Sequence, residues 1–206
     1  MLKIRELDEM NQLTDLLAKT LAVPVSHQMP NDVAVTLQAA KRQMEGLPEV
    51  IEDLNLAFKR YLTLNQTLNR MMALADESSR LTQEAQDNEY RQVLEQEFTK
   101  LAVVVAKEAG HRYFEGTRLT IADQASAQAA NTVLSYLKPV LENLSHELRG
   151  QKALIIEAIS ETMNFMGIIA MCYPDAEGVD AIRDTLSRVK LPQTPDSPVH
   201  FIPTFH

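Results

Sequence analysis

The stretch that decides the fold covers residues 47–83 and reads LPEVIEDLNLAFKRYLTLNQTLNRMMALADESSRLTQ. Two rows of residues repeat within it every seven positions, and the second row is offset from the first by four. The rows are Leu47, Leu54, Tyr61, Leu68 and Ala75, and Ile51, Phe58, Asn65 and Met72. All except Asn65 are apolar. Both rows therefore lie on one side of a helix and form a coiled-coil-like seam about four heptads long.

A second helical arm follows the polar run at residues 86–89, and we predict it over residues 89–109. It continues the seam with Leu94, Phe98, Leu101 and Val105. A polar loop between two helices that share a seam period predicts an antiparallel helical hairpin. After the second arm the chain reaches an aromatic–glycine corner, Tyr113-Phe114-Glu115-Gly116.

Apolar residues recur at helical spacing through most of the remaining chain, and no strand pairs are predicted. The further helices are predicted over residues 4–22, 32–45, 121–148, 151–171 and 175–189. Pro139 should kink or split the fifth helix, and Gly150 should separate it from the sixth. The predicted fold is all-α: one elongated antiparallel bundle over residues 1–190, followed by a proline-rich tail over residues 191–206.

The charge balance argues against nucleic acid as the main partner, because 28 acidic residues oppose 20 basic ones and give a net charge of −8. No uninterrupted apolar run approaches the roughly 20 residues of a membrane span, so we predict none. The N-terminus turns acidic within its first ten residues. Any export is therefore expected to proceed without a cleaved signal peptide.

Residues capable of chemistry are scattered rather than clustered. His111 has Glu115 four residues away, and His146 has Glu142, but two ligands do not make a metal site, so we interpret both pairs as surface contacts. Cys172 has no second cysteine and is predicted to be a buried structural thiol. We predict no catalytic, cofactor-binding or metal-binding residue, and hence no enzyme.

A contact surface is the more promising feature. Arg70, Leu74 and Glu97 are expected to lie partly exposed near the hairpin and are the candidate partner-binding residues. The methionines could form an adaptable binding surface, although core packing is the preferred interpretation for most of them. They are Met71, Met72, Met163, Met166 and Met171.

Three segments in order carry a family resemblance: LNRMMALA at residues 68–75, RQVLEQEF at residues 91–98, and the corner at residues 113–116. Their order and spacing resemble the rod-like core of bacterial flagellins, and the resemblance covers roughly residues 31–120. It implies a structural helical protein. Flagellin-sensing Toll-like receptors read the hairpin face of this family, to which Arg70, Leu74 and Glu97 correspond.

The chain departs from the family pattern at Tyr90, at Glu115 and at Met72. With Met72 altered, strong receptor recognition is not expected. The variable outer domains of most flagellins are also missing after the corner. The resemblance implies a reduced, flagellin-like component of, or binder to, a flagellar filament or related surface assembly. Such a protein would be extracellular and would have protein partners, including copies of itself.

Two other functions stay open. The first is a cytoplasmic export chaperone or adaptor that mimics a flagellin hairpin. The second is a ligand-sensing bundle, which would need a cavity with convergent polar groups. Packing of the terminal helices onto their own chain would argue against self-assembly through them, and exposure of those helices would favour it.

Overall fold

In a computed structural model, the described residues are 4–22, 29–82, 84–109, 119–174 and 179–188, and they form six helices. In chain order these are α1 (Ile4–Ala22), α2 (Asn31–Met44), α3 (Leu47–Arg80), α4 (Ala85–Ala109), α5 (Gln124–Cys172) and α6 (Val179–Arg188). No strand occurs within these ranges, and the helices pack against each other. The all-α prediction is confirmed.

The chain divides into two compact units whose boundaries fall within α3 and α5. The hairpin unit holds residues 57–147, and its described parts are 57–82, 84–109 and 119–147. The terminal unit holds residues 3–56 and 148–206, and its described parts are 4–22, 29–56, 148–174 and 179–188. The corner at residues 113–116 and the proline-rich tail lie outside the described residues.

In the hairpin unit, α3 buries a wider arc than the predicted seam. Most of the predicted seam residues on α3 are buried as expected, with Leu47, Asn65 and Met72 only partly covered. Further positions on α3 are buried as well: Leu64, Thr67, Met71, Leu74 and Ser78. The extra burial arises because α3 has neighbours on two sides, namely α4 and the segment that leads into α5. A core-facing helix with two neighbours needs a broader apolar face than a two-helix seam.

In the terminal unit, α1 packs onto its own chain. Its apolar stripe of Met10, Leu13, Leu16 and Leu17 is buried. The polar edge of α1 makes two ion pairs. Glu6 pairs with Arg149 at 2.9 Å, and Glu9 pairs with Lys152. Both basic partners belong to α5. Asn11 also accepts a hydrogen bond from Asn55 of α3 at 3.3 Å.

The long helix α5 corrects one prediction, because Gly150 does not interrupt it and residues 124–172 form a single helix. Gly150 is exposed and its backbone is not left-handed, so it adopts the helical conformation. A glycine inside a helix costs only about 1 kcal/mol relative to alanine, which the packing on either side offsets. Pro139 does not split the helix either. It lies on the exposed side, where water can satisfy the carbonyl that loses its hydrogen bond.

The helix α5 is also the one described helix that is long and apolar enough to cross a membrane by length and composition. Half of its most apolar window is buried inside the protein, however. A buried core helix passes the same test, so this result is weak evidence for a span.

Candidate partner-binding face

Two polar contacts join α3 and α4 along the edge of their seam. Arg70 donates from Nε to Glu97 Oε1 at 2.7 Å and from Nη2 to Oε2 at 2.9 Å. Further along the hairpin, Tyr90 Oη donates to Glu77 Oε1 at 2.5 Å. Arg70 and Glu77 are seven residues apart, as are Tyr90 and Glu97. The two contacts therefore repeat after one heptad and set the register of the antiparallel pair, as charged edge positions do in coiled coils.

These contacts shift the acidity of the groups that make them. The hydrogen bonds from Arg70 lower the pKa of Glu97, because they stabilise its carboxylate. The same interaction raises the pKa of Arg70. Donation to Glu77 raises the pKa of Tyr90, because deprotonation would break that hydrogen bond. The predicted site residues Arg70 and Glu97 are thus brought together, and they present a paired charge rather than two separate ones.

The third predicted site residue, Leu74, is fully buried, so its expected exposure is wrong. It is one of the α3 residues that are buried beyond the predicted seam. In the sequence it lies between Arg70 and Glu77, the two α3 residues that make the polar contacts. A residue in that position stabilises the hairpin and cannot touch a partner without local opening. The surface here consists of Arg70, Glu77, Tyr90, Val93 and Glu97, which we call the hairpin face.

The buried side chain of Arg91 holds the turn between α3 and α4. Its Nη2 donates to the carbonyls of Leu81 at 2.9 Å and Thr82 at 3.2 Å, with a longer contact of 3.5 Å to Ser78. Its Nη1 donates to Asn88 Oδ1 at 2.9 Å. The last carbonyls of a helix have no partner within the helix, and Arg91 provides a donor for the carbonyls of Leu81 and Thr82, which directly follow α3.

A second polar group ties the segment before α5 to the hairpin. Glu95 accepts hydrogen bonds from Thr120 Oγ1 at 2.7 Å and from the Ile121 backbone N–H at 2.5 Å. Ser78 of α3 donates to the Ile121 carbonyl at 2.7 Å. Both backbone groups of the buried Ile121 are therefore satisfied, one by each arm of the hairpin. Sequence analysis missed these roles of Arg91 and Glu95.

Two aspartates make hydrogen bonds at the starts of α4 and α5. Asp87 accepts from the backbone N–H and the hydroxyl of Thr82, at 2.7 and 2.5 Å. Asp123 accepts from the backbone N–H and hydroxyl of Ser126, at 2.8 and 2.6 Å, as an N-cap of α5. These hydrogen bonds lower the pKa of both carboxyl groups, since they favour the ionised form.

Apolar side chains also reach solvent near these elements. Val93 lies between Tyr90 and Glu97 on α4 and is 59% exposed. On α5, Tyr136 is 74% exposed. A shallow groove of about 490 Å³ runs between α3 and α5. It is lined by Met72, Ala73, Asp76, Asn131, Thr132 and Ser135. It is open to solvent, unlike the enclosed cavity that a ligand-sensing bundle would require.

The remaining candidate residues do not assemble into a site. Cys172 is exposed, so the prediction of a buried thiol is wrong. It is the last residue of α5. His146 is exposed, and His111 lies outside the described residues. Among the described residues, no group of three or more metal-ligating side chains occurs.

The methionines mostly fill the core, which agrees with the preferred interpretation. Met71, Met163 and Met166 are buried, Met72 is partly covered, and Met171 is 53% exposed.

Comparisons with protein-family models, with curated proteins and with solved structures found no match to this chain.

Proposed function

We propose that this chain is a non-catalytic, flagellin-like structural protein, either a component of a bacterial flagellar filament or related surface assembly or a binder of one. One observation carries the proposal. The segments at residues 68–75 and 91–98, whose order and spacing resemble flagellins, lie on the two arms of one hairpin. Within that hairpin Arg70 of the first segment pairs with Glu97 of the second, and Leu94 and Phe98 of the second segment are buried in the seam.

The packing of α1 indicates how such a protein would engage its partners. Burying an apolar side chain is worth about 1.5–3 kcal/mol, and α1 buries Met10, Leu13, Leu16 and Leu17 against its own chain. The apolar face of α1 is therefore occupied, which argues against polymerisation through this helix. Contacts through the folded hairpin face fit the proposal better, and they require no rearrangement of the terminal unit.

The same observation favours a second candidate function. An export chaperone or adaptor that mimics the flagellin hairpin would act as a folded unit in the cytoplasm, with α1 docked. The first candidate places the protein outside the cell. The partner distinguishes them, because a filament component binds assembled flagellin and an adaptor binds soluble flagellin or export components.

The test is cosedimentation of the purified chain with assembled flagellar filaments, alongside gel filtration with soluble flagellin. We expect the chain to pellet with filaments and not to pellet alone. The double variant Arg70→Ala/Glu97→Ala should pellet less. The matched control is Asp76→Ala/Arg80→Ala, which removes another exposed ion pair of α3 and should pellet normally. Binding to soluble flagellin alone would support the adaptor, and binding to neither form would overturn the filament function.

A further inference from the structure

The side of α4 that faces away from the core carries a second heptad row. The buried residues Leu94, Phe98 and Val105 mark the inner side of this helix. Six exposed residues lie roughly opposite Phe98, at successive spacings of four, three, four, three and four positions. We call them the outer row, and they are Glu89, Val93, Gln96, Lys100, Val103 and Lys107. Alternating spacings of four and three are those of the a and d positions through which two helices form a coiled coil.

Two valines place apolar surface in the outer row, since Val93 is 59% exposed and Val103 is 65% exposed. Val103 belongs to a run of six consecutive apolar residues, 101–106, in which only Val105 is buried. The polar contacts of α4 with α3 and with residues 120–121 use other positions of the helix. A helix that packs on one side needs a single apolar stripe. The valines of the outer row therefore exceed what the packing of α4 on its own chain uses.

The outer row is complementary to its own reverse. If a second α4 runs antiparallel to the first and the two helices meet at residue 98, positions equally far from that residue lie opposite each other. Val93 then faces Val103 of the second copy, and Glu89 faces Lys107 of the second copy. Each contact occurs twice, as a two-fold axis requires. A parallel pair would instead place Glu89 against Glu89 and Lys107 against Lys107, and these like charges would repel. The charge pattern thus fits an antiparallel copy of the same helix.

We propose that the outer row is a dimer interface, and that its occupant is the antiparallel outer row of a second copy of this chain. Such an interface uses the same surface on both copies, so the assembly closes at two and does not grow into a filament. The row extends about 27 Å along α4, and a contact between two helices of that length is smaller than a standard interface of about 1,600 Å². The dimer is therefore weak and forms as the protein concentration rises. Only Val93 is shared with the hairpin face, and the inference does not depend on the flagellar function.

The decisive experiment exchanges charges at the two ends of the row in the full-length chain. Glu89→Lys or Lys107→Glu alone puts like charges together at both ends and should weaken the dimer at least about 10-fold in sedimentation velocity at low ionic strength. An equimolar mixture of the two variants restores opposite charges and should form a one-to-one heterodimer, identified by native mass spectrometry. Lys138→Glu, at an exposed position of α5, is the matched control and should dimerise as the wild type does. A wild-type chain that stays monomeric at every concentration, or a mixture no more dimeric than either variant, would overturn the proposal.

A disulfide measurement tests the register of the two helices. It uses chains in which the exposed Cys172 is replaced by serine, so that one engineered thiol remains in each. The Val93→Cys and Val103→Cys chains, mixed and oxidised with glutathione disulfide, should link to each other. Neither should link to its own kind, because two residues at position 93 lie about 15 Å apart along antiparallel helices that meet at residue 98. Self-linkage as efficient as mixed linkage, or no mixed disulfide at a concentration where the wild type dimerises, would each overturn the antiparallel pairing.

Discussion

Arg70 and Glu97 join α3 to α4 through two parallel hydrogen bonds, although 27 residues separate them in the chain. This geometry is the bidentate form in which a guanidinium binds a carboxylate most specifically. The Arg70–Glu97 contact and the Tyr90–Glu77 contact are one heptad apart along the hairpin. A shift of either helix by one residue would break both contacts, so they act as a check on the register of the core.

The coupling between Arg70 and Glu97 should be small, salt-sensitive and lost in acid. The folded pKa of Glu97 is lowered, so its contribution to stability is present above the ordinary glutamate pKa of about 4.3 and disappears as the pH falls through the folded value. Urea unfolding of Arg70→Ala, Glu97→Ala and the double variant gives the coupling free energy. It should be positive at about pH 7 and be lost in acid, once the pH falls below the lowered folded pKa of Glu97. A coupling that does not change with pH would contradict this assignment.

Truncation of Leu74 should destabilise the protein strongly, because its side chain is fully buried. Leu74→Ala is expected to lower the free energy of unfolding by about 2–5 kcal/mol. The matched control is Leu56→Ala on the same helix, where the side chain is 47% exposed and the loss should be far smaller. Chemical denaturation of both variants makes the comparison, and similar losses would show that Leu74 is not a core residue.

Replacement of Arg91 should loosen the turn between α3 and α4. Arg91→Met keeps much of the side-chain volume but leaves the carbonyls of Leu81 and Thr82 without their donor, at an expected loss of about 1–3 kcal/mol. Arg91→Lys should retain only part of the stability that Arg91→Met loses, since an ammonium lacks the forked geometry of a guanidinium. Faster amide hydrogen exchange confined to the end of α3 and the start of α4 is the local readout. Full rescue by lysine would argue against the fork.

The Glu9–Lys152 pair should respond asymmetrically to mutation. Lys152 is 8% exposed, so Glu9→Gln leaves a buried ammonium without its carboxylate and should cost about 3–5 kcal/mol. Replacing both residues with methionine should cost much less, because no charge is then buried. Glu6→Gln is the control, and its effect should be smaller because Arg149 is 39% exposed. Thermal unfolding of the three variants ranks these losses.

Gly150→Ala should stabilise the protein by about 0.5–1 kcal/mol, because alanine restricts the unfolded chain and suits a helix. The site has room, since a Cβ there meets no atom within 4 Å. A raised melting temperature with unchanged helicity is the expected result. Destabilisation would mean that α5 bends at this glycine.

The sequence predicted the helices better than the contacts between them. The bounds of α1 agree with the prediction, because an apolar stripe ends before Pro24. The break at Gly150 was wrong because local propensity is weak against burial of residues such as Leu148 and Ile155 on either side. The heptad rows predicted most of the α3 seam but left out Leu74, because a two-helix period does not reveal that α3 has a second neighbour.

The candidate site was only partly predictable for a related reason. Expected partial exposure near the hairpin singles out Arg70 and Glu97, and the resemblance points to the same residues. The matching seven-residue spacings of Arg70 to Glu77 and Tyr90 to Glu97 are a further usable signal. The role of Arg91 could not be predicted from the sequence, because its acceptors are backbone carbonyls whose positions depend on how α3 ends. The exposure of Cys172 likewise depends on its place at the end of α5.

The contacts of α1 also determine the order in which the terminal unit can be completed. Glu6 and Glu9 meet partners that lie 143 residues further along the chain. During synthesis, or during threading from the N-terminus, α1 emerges long before the part of α5 that receives it. Contacts of such high sequence separation form late and slowly, because a long loop must close first. Throughout that interval the contacts of α1 with Arg149 and Lys152 are still to be made, and the synthesis of α5 permits them.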